Sequence, residues 1–136
     1  MLLAGCYRGP APAPGAAASS SPTGPVYTVH VTQSTVNGGP KTVLADAQGF
    51  TLYYRSRDAS GSVCSGGCAT IWPPLVQPDG APTAEPALTG ILGTATNANG
   101  SQVLYNGHPL YRYSGDAGPG QATGEGSGGI WFVVEP

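Results

Sequence analysis

The second half of this chain repeats the pattern of the first half, and this repeat limits the possible folds more than any other feature. Tyr53 recurs as Tyr111 after 58 residues, and Trp72 recurs as Trp131 after 59 residues. Each half has the pattern of a hairpin, a glycine-rich loop and a tryptophan-bearing strand. Because one such unit alone would leave an apolar face open, we predict that the two units pack together around one shared core, each tryptophan beneath its own hairpin.

Short β-type runs, rich in β-branched and aromatic residues and bounded by turn residues, follow one another from Val26 onward. The candidate strands are residues 27–32, 42–45, 50–54, 102–105 and 108–113. Gly49 closes the first predicted turn, and Asn106-Gly107 forms the second, which is the strongest short signal for a hairpin. No window of the chain has a convincing helical period.

These patterns predict an all-β fold with a single small domain over residues 26–136. The domain has two tandem hairpin repeats, at about 42–76 and 101–136, and a loop at 78–86 connects them. The 22 Gly, 14 Pro and 9% charged residues argue against a helical bundle, since ordinary domains have about 25% charged residues. A net charge of −2 offers no attraction for a phosphate backbone and argues against nucleic-acid binding.

Residues 1–6 resemble the end of a bacterial lipoprotein signal. Leu3-Ala4-Gly5-Cys6 is similar to a lipobox, in which small residues precede a cysteine that receives diacylglycerol. A complete signal has a basic segment and about 7–15 apolar residues, so we expect translation to start upstream of Met1. We predict that Cys6 is acylated and that membrane lipid is its partner. The alternative is a chance cysteine in a cytoplasmic protein.

Residues 7–25 are nearly all Ala, Pro, Gly, Ser and Thr. Such a segment cannot bury enough apolar surface to offset the entropy of ordering, so we predict a disordered tether. No segment approaches the roughly 20 apolar residues of a membrane-spanning helix. We therefore expect a lipid-anchored protein on the extracytoplasmic side of the cell membrane or envelope.

Three segments of the domain carry a resemblance to a known family. Residues 52–58, 64–75 and 105–111 are similar to the secreted-repeat lipoproteins of bacteria, which are predicted lipoproteins defined by a Tyr-x-aromatic-x-x-Asp motif. The resemblance covers about residues 42–136. It implies a location and an architecture, and it implies no catalytic residues because the family has no established biochemical activity.

The second repeat matches the family motif at all three positions, with Tyr111, Tyr113 and Asp116. The first repeat matches at Tyr53 and Asp58 and departs between them, where Arg55 holds the aromatic position.

Cys64 and Cys68 enclose Ser65-Gly66-Gly67. In an exported protein such a pair normally forms a disulfide, and the glycines allow the chain to turn tightly enough for the sulfurs to meet. The alternative is an envelope redox or copper-handling protein in which Cys64, Cys68 and His108 bind Cu(I), which prefers soft thiolate ligands. His108 occupies the position that Phe50 has in the first repeat, which favours a packed residue at the start of a strand over a ligand.

Asp58 and Asp116 allow two interpretations. They could act as the paired carboxylates of a glycosidase. Since each ends a strand and opens a glycine-rich loop, we instead predict that each accepts local backbone N–H groups in an Asx-turn.

The most favoured interpretation of the whole chain is a lipoprotein without catalytic activity, cofactor or metal. A row of exposed tyrosines could bind an envelope glycan or a protein partner.

Overall fold

The computed structural model describes residues 27–58 and 63–136. The predicted lipidation site Cys6 and the predicted tether, 7–25, lie outside the described residues. In chain order the elements are β1 (Val29–Val36), β2 (Gly39–Ala45), β3 (Tyr53–Arg55), α1 (Gly67–Ile71), β4 (Ala84–Glu85), β5 (Leu92–Asn97), β6 (Gly100–Tyr105), β7 (His108–Pro109) and β8 (Trp131–Val133), with a 3-10 turn at Ser127–Gly129. The described parts contain almost no helix, which confirms the predicted all-β fold.

Two Asn-Gly turns shape the hairpins. Asn106 and Gly107 have φ angles of 52° and 83° and join β6 to β7, as predicted from the sequence. Asn37 and Gly38 have φ angles of 51° and 86° and join β1 to β2, which pair from His30 opposite Ala45 to Val36 opposite Gly39. Both residues of each turn have positive φ, which is the conformation that matches the right-handed twist of the strands. β1 therefore continues beyond the predicted strand at 27–32.

The tryptophan-bearing segment of each repeat pairs with the hairpin of the other repeat. β8 of the second repeat lies antiparallel to β3 of the first, with Trp131 opposite Arg55. In the same way, Leu75 of the first repeat donates its N–H to the Leu110 carbonyl at 3.0 Å and accepts the Val103 N–H at 2.8 Å. The backbone of these segments is exchanged, yet each tryptophan ring contacts the hairpin tyrosine of its own repeat, as predicted. The ring centroids of Trp72 and Tyr53 lie 5.4 Å apart, and those of Trp131 and Tyr111 lie 5.1 Å apart.

Matching bonds on the other side show that the two repeats are related by an approximate twofold correspondence. Val134 donates to the Leu52 carbonyl at 3.0 Å and accepts the Leu44 N–H at 2.8 Å. At the centre, Tyr53 and Tyr111 exchange both of their backbone hydrogen bonds, at 2.7 and 2.9 Å. Each repeat thus supplies strands that the other repeat needs to complete its backbone pairing.

The buried side chains form two clusters rather than the single shared core that we expected. Leu52 and Tyr53 belong to different clusters, since successive side chains of an extended strand point to opposite faces. The first cluster contains Val36, Val43, Tyr53, Cys64, Trp72, Tyr111, Ala122, Trp131 and Val133. The second contains Val29, Leu44, Leu52, Val103, Tyr105, Leu110 and Val134. Both repeats contribute to both clusters, and Leu52, Leu110, Trp72 and Trp131 are all buried as predicted.

The segment between the repeats is largely exposed. Its one regular element is β4, which pairs in parallel with the start of β1, Val29 opposite Ala84. Across 27–58 and 63–136, no helix has the length and apolar character needed to span a membrane.

We predict that Trp72→Ala and Trp131→Ala each lower the free energy of unfolding by about 3–5 kcal/mol. Each ring is only 5% exposed and each supports both repeats, so the two losses should be similar. Urea denaturation of the purified variants measures them. Ile91→Ala is the control, because Ile91 is 76% exposed and its change should stay within about 0.5 kcal/mol. A tryptophan variant as stable as this control would contradict the packing described above.

Candidate functional site

The tyrosines and aspartates of the family motif bond to each other across the two repeats. The Tyr53 hydroxyl donates to Asp116 Oδ2 at 2.7 Å, and the Tyr111 hydroxyl donates to Asp58 Oδ2 at 2.5 Å. Both tyrosines are fully buried. We call these two bonds the reciprocal Tyr–Asp pairs. Because each pair takes one residue from each repeat, the motif joins the repeats to one another.

Each motif carboxylate has further partners. Asp116 Oδ1 accepts the Thr123 N–H at 2.8 Å and the Thr123 hydroxyl at 2.6 Å, so Asp116 does not form the predicted Asx-turn. Asp58 forms an ion pair with Arg55 Nε, and its side chain has no exposed surface. The two carboxylates that a glycosidase mechanism would need are thus each bound to a buried tyrosine of the other repeat.

The tyrosine hydroxyls also accept hydrogen bonds from the backbone of the two glycine-rich loops. Gly124 N–H donates to the Tyr53 hydroxyl at 3.2 Å, and Cys64 N–H donates to the Tyr111 hydroxyl at 3.0 Å. A Cβ at Gly124 would lie 2.7 Å from the ring of Trp72, so only glycine allows this close approach. Thr123 was not singled out from the sequence, since it lies in an irregular loop that gives no signal for this role.

Burial raises the pKa of Tyr53 and the pKa of Tyr111 well above the ordinary value of 10.0. Loss of solvent contact is the largest cause, because the charged phenolate is poorly solvated inside the protein. The hydrogen bonds to Asp116 and Asp58 raise the two pKa values further. Both phenols therefore stay protonated and act as permanent donors in the reciprocal Tyr–Asp pairs.

The residue at the aromatic position of the motif belongs to a stack of rings beside these pairs. Trp72 and Trp131 lie face to face, with ring centroids 3.9 Å apart and planes inclined by 3°. Tyr113 stacks on the outer face of Trp72 at 4.4 Å. Arg55, which holds the equivalent position in the first repeat, places its guanidinium carbon 5.7 Å from the centroid of Trp131. A cation over an aromatic face is attractive at this distance, so Arg55 takes the place of an aromatic residue in the stack.

The predicted disulfide between Cys64 and Cys68 is formed, with the Cα atoms 5.4 Å apart. Cys64 is buried in the cluster that contains both tryptophans, and its N–H contacts Tyr111. The structure does not bring His108 to these cysteines. In the described parts of the chain, no group of three His, Cys, Asp or Glu side chains could hold a metal ion.

His108 instead lies at an open cavity of about 250 Å³ to which both repeats contribute residues. We call it the Tyr54 cavity, and its lining residues are Tyr54, Tyr105, Asn106, His108, Val133, Val134 and Glu135. His108 begins β7 as expected but is exposed rather than packed, with its ring 4.9 Å from that of Tyr54. The predicted row of exposed tyrosines is not formed, because every tyrosine in the described residues is buried or half-buried.

The surface related to this cavity by the repeat has a different chemistry. Phe50 and Arg112 replace His108 and Tyr54 there, and the Arg112 guanidinium lies over the Phe50 ring at 5.8 Å. Arg112 also pairs with Asp46 Oδ2 at 3.3 Å. The two repeats therefore share their buried motif and differ at this surface.

A family model described as a secreted repeat of unknown function matches the chain twice, at residues 34–76 and 93–135. Together the two matches cover more than half of the chain. They begin ahead of positions 42 and 101, where the sequence pattern placed the repeats, because they include parts of β1 and β5. No curated protein matches the chain, and no solved structure does.

We predict that the free energy of unfolding decreases as the pH rises through about 10. The folded protein keeps Tyr53 and Tyr111 protonated, whereas the unfolded chain releases these protons near the ordinary pKa of 10.0. The unfolded state then binds fewer protons, so stability must fall with increasing pH. Urea denaturation between about pH 8 and about pH 11 measures this slope.

The double variant Tyr53→Phe/Tyr111→Phe is the control for this titration. It should be less stable at about pH 8, yet lose less stability than the original protein as the pH rises. Equal slopes for the two proteins would show that these two tyrosines are not the groups responsible.

Proposed function

Because the chain belongs to the family of secreted repeats of unknown function, we propose that it is a lipid-anchored extracytoplasmic protein that binds a component of the cell envelope and catalyses no reaction. The family's description as a secreted repeat supports a location outside the cytoplasm. The lipobox-like segment ending at Cys6 supports the lipid anchor. A binding role follows from the surface of the domain.

We propose that the protein is not an enzyme because both motif carboxylates are engaged in the reciprocal Tyr–Asp pairs. Asp58 has no exposed side-chain surface, and Asp116 is 6% exposed. A general acid or base must come within hydrogen-bond distance of the substrate proton that it transfers. Because both carboxylates instead bind buried phenols of the opposite repeat, we infer that they stabilise the fold and that the motif forms a structural scaffold.

A scaffold of this kind leaves function to the surface positions at which the repeats differ. The Tyr54 cavity combines two aromatic side chains, a histidine, an amide and a carboxylate. Binding sites are typically concave, mostly apolar and provided with a few placed polar groups. This combination supports a binding role for the domain.

We predict that Cys6→Ser releases the protein from the membrane fraction without unfolding the domain. The substituted sulfur is the acylation site, whereas no residue of the described domain changes. Fractionation of expressing cells measures the release, and urea denaturation of the purified protein should give the same midpoint before and after substitution.

The double variant Cys64→Ser/Cys68→Ser is the matched control, since it removes the other two cysteines and should stay with the membranes. Cys6→Ser protein that remains in the membrane fraction would contradict the lipid anchor. Unsubstituted protein that fractionates with the cytoplasm would contradict the proposed location as well.

A further inference from the structure

We propose that the Tyr54 cavity binds one sugar ring of an uncharged cell-envelope glycan. This inference rests on the proposed binding role and adds the chemical class of the ligand and the residues that recognise it.

The size of the cavity suits a single small ring. Its volume of about 250 Å³ lies just below the roughly 300–1,000 Å³ of pockets that take drug-sized ligands. The cavity is open to solvent where residues of the two repeats meet, so a chain could pass over it and place one unit inside. A long apolar ligand such as a lipid acyl chain would not fit into this volume.

The aromatic side chains supply the face on which a sugar ring can pack. Tyr54 is half-buried, and its ring centroid lies 4.9 Å from that of His108 and 5.9 Å from that of Phe132. The face of an aromatic ring carries partial negative charge, and the C–H groups on one face of a pyranose carry partial positive charge. Contact between these two faces leaves the sugar hydroxyls directed outward, toward polar partners.

The backbone of the adjoining loop holds the polar side chains of the cavity in place. The Tyr105 hydroxyl accepts the Gly90 N–H at 3.0 Å, which leaves its own proton available for donation. Asn106 Oδ1 accepts the Ile91 N–H at 2.9 Å, so its amide nitrogen remains available as a donor. Groups that are already fixed lose little conformational freedom on binding. The Tyr54 hydroxyl and the His108 ring form no hydrogen bond to another described residue.

The charge of the cavity favours an uncharged ligand. Its wall contains the Glu135 carboxylate and no lysine or arginine, and Glu135 pairs with Lys41 at 3.1 Å. Binding sites for phosphate groups rely on cationic side chains that bond to the oxygens. An anionic polymer would meet no lysine or arginine in the wall itself, and the adjacent Lys41 is already paired with Glu135.

The comparison between the repeats supports the same assignment. At the equivalent surface, Arg112 of the second repeat packs over Phe50 of the first and pairs with Asp46, so a paired cation stands where the Tyr54 cavity has a phenol. At the Tyr54 cavity the equivalent side chains are Tyr54 and His108, whose rings lie 4.9 Å apart and which form no ion pair in the described residues. A cavity of about 530 Å³ also lies at the equivalent surface, so the side chains, and not the opening itself, distinguish the Tyr54 cavity.

The test uses full-length lipidated protein in detergent, with the tetrasaccharide of N-acetylglucosamine as the probe and isothermal titration calorimetry as the measurement. We expect saturable binding. Tyr54→Ala should weaken it at least about tenfold, and exposed His108→Ala should weaken it in the same direction without affecting the fold. Phe50→Ala, at the equivalent position of the first repeat, is the matched control and should bind as the original protein does. N-acetylglucosamine 6-phosphate should bind more weakly than N-acetylglucosamine.

Two results would overturn this assignment. Binding that survives both Tyr54→Ala and His108→Ala would place the sugar elsewhere. Absence of binding to the original protein at about 10 mM probe would exclude the sugar as ligand, since even a dissociation constant of about 1 mM would then be detected. If the protein is still found in the membrane fraction, either result leaves the proposed anchoring and location intact. A protein found in the cytoplasm would instead contradict the proposed function itself.

Discussion

Tyr53 and Tyr111 exchange both backbone hydrogen bonds at the centre of the molecule, and the other contacts between the repeats follow from this pairing. It places the two tyrosine rings so that each hydroxyl reaches the aspartate of the opposite repeat. It also brings Trp72 and Trp131 face to face. Since the tryptophan-bearing segment of each repeat pairs with the hairpin of the other, neither repeat has a complete set of strands alone. The domain is therefore expected to fold as one cooperative unit.

Local signals made much of the fold predictable. Asn106-Gly107 identifies its hairpin because both residues tolerate positive φ, and the spacing of Cys64 and Cys68 was sufficient to predict the disulfide. The exchange between the repeats could not be predicted, since a spacing of 58 residues fits pairing within a repeat as well as pairing across repeats. Asn37-Gly38 carries the same hairpin signal as Asn106-Gly107, so the full length of β1 was accessible from the sequence.

The candidate site was less accessible than the fold. Equivalence with Phe50 suggested that His108 is packed, yet His108 is exposed beside Tyr54 because the two repeats diverge at this surface. Alternation along β3 separates buried Tyr53 from half-buried Tyr54, but it does not show which other side chains gather around Tyr54. That arrangement depends on β6, β7 and β8, which are brought together only by the tertiary fold. Internal repetition therefore fixes the buried motif, while the surface positions are free to differ and to carry function.

The central claim is that the motif bonds across the repeats, and double-mutant cycles test it most directly. Combining Tyr53→Phe with Asp116→Ala, and Tyr111→Phe with Asp58→Ala, should give coupling energies of about 0.5–3 kcal/mol in urea denaturation, as expected for residues in contact. The same-repeat combinations, Tyr53→Phe with Asp58→Ala and Tyr111→Phe with Asp116→Ala, should be additive within about 0.5 kcal/mol. Strong coupling within each repeat and additivity across the repeats would contradict the reciprocal Tyr–Asp pairs and the exchanged fold that depends on them.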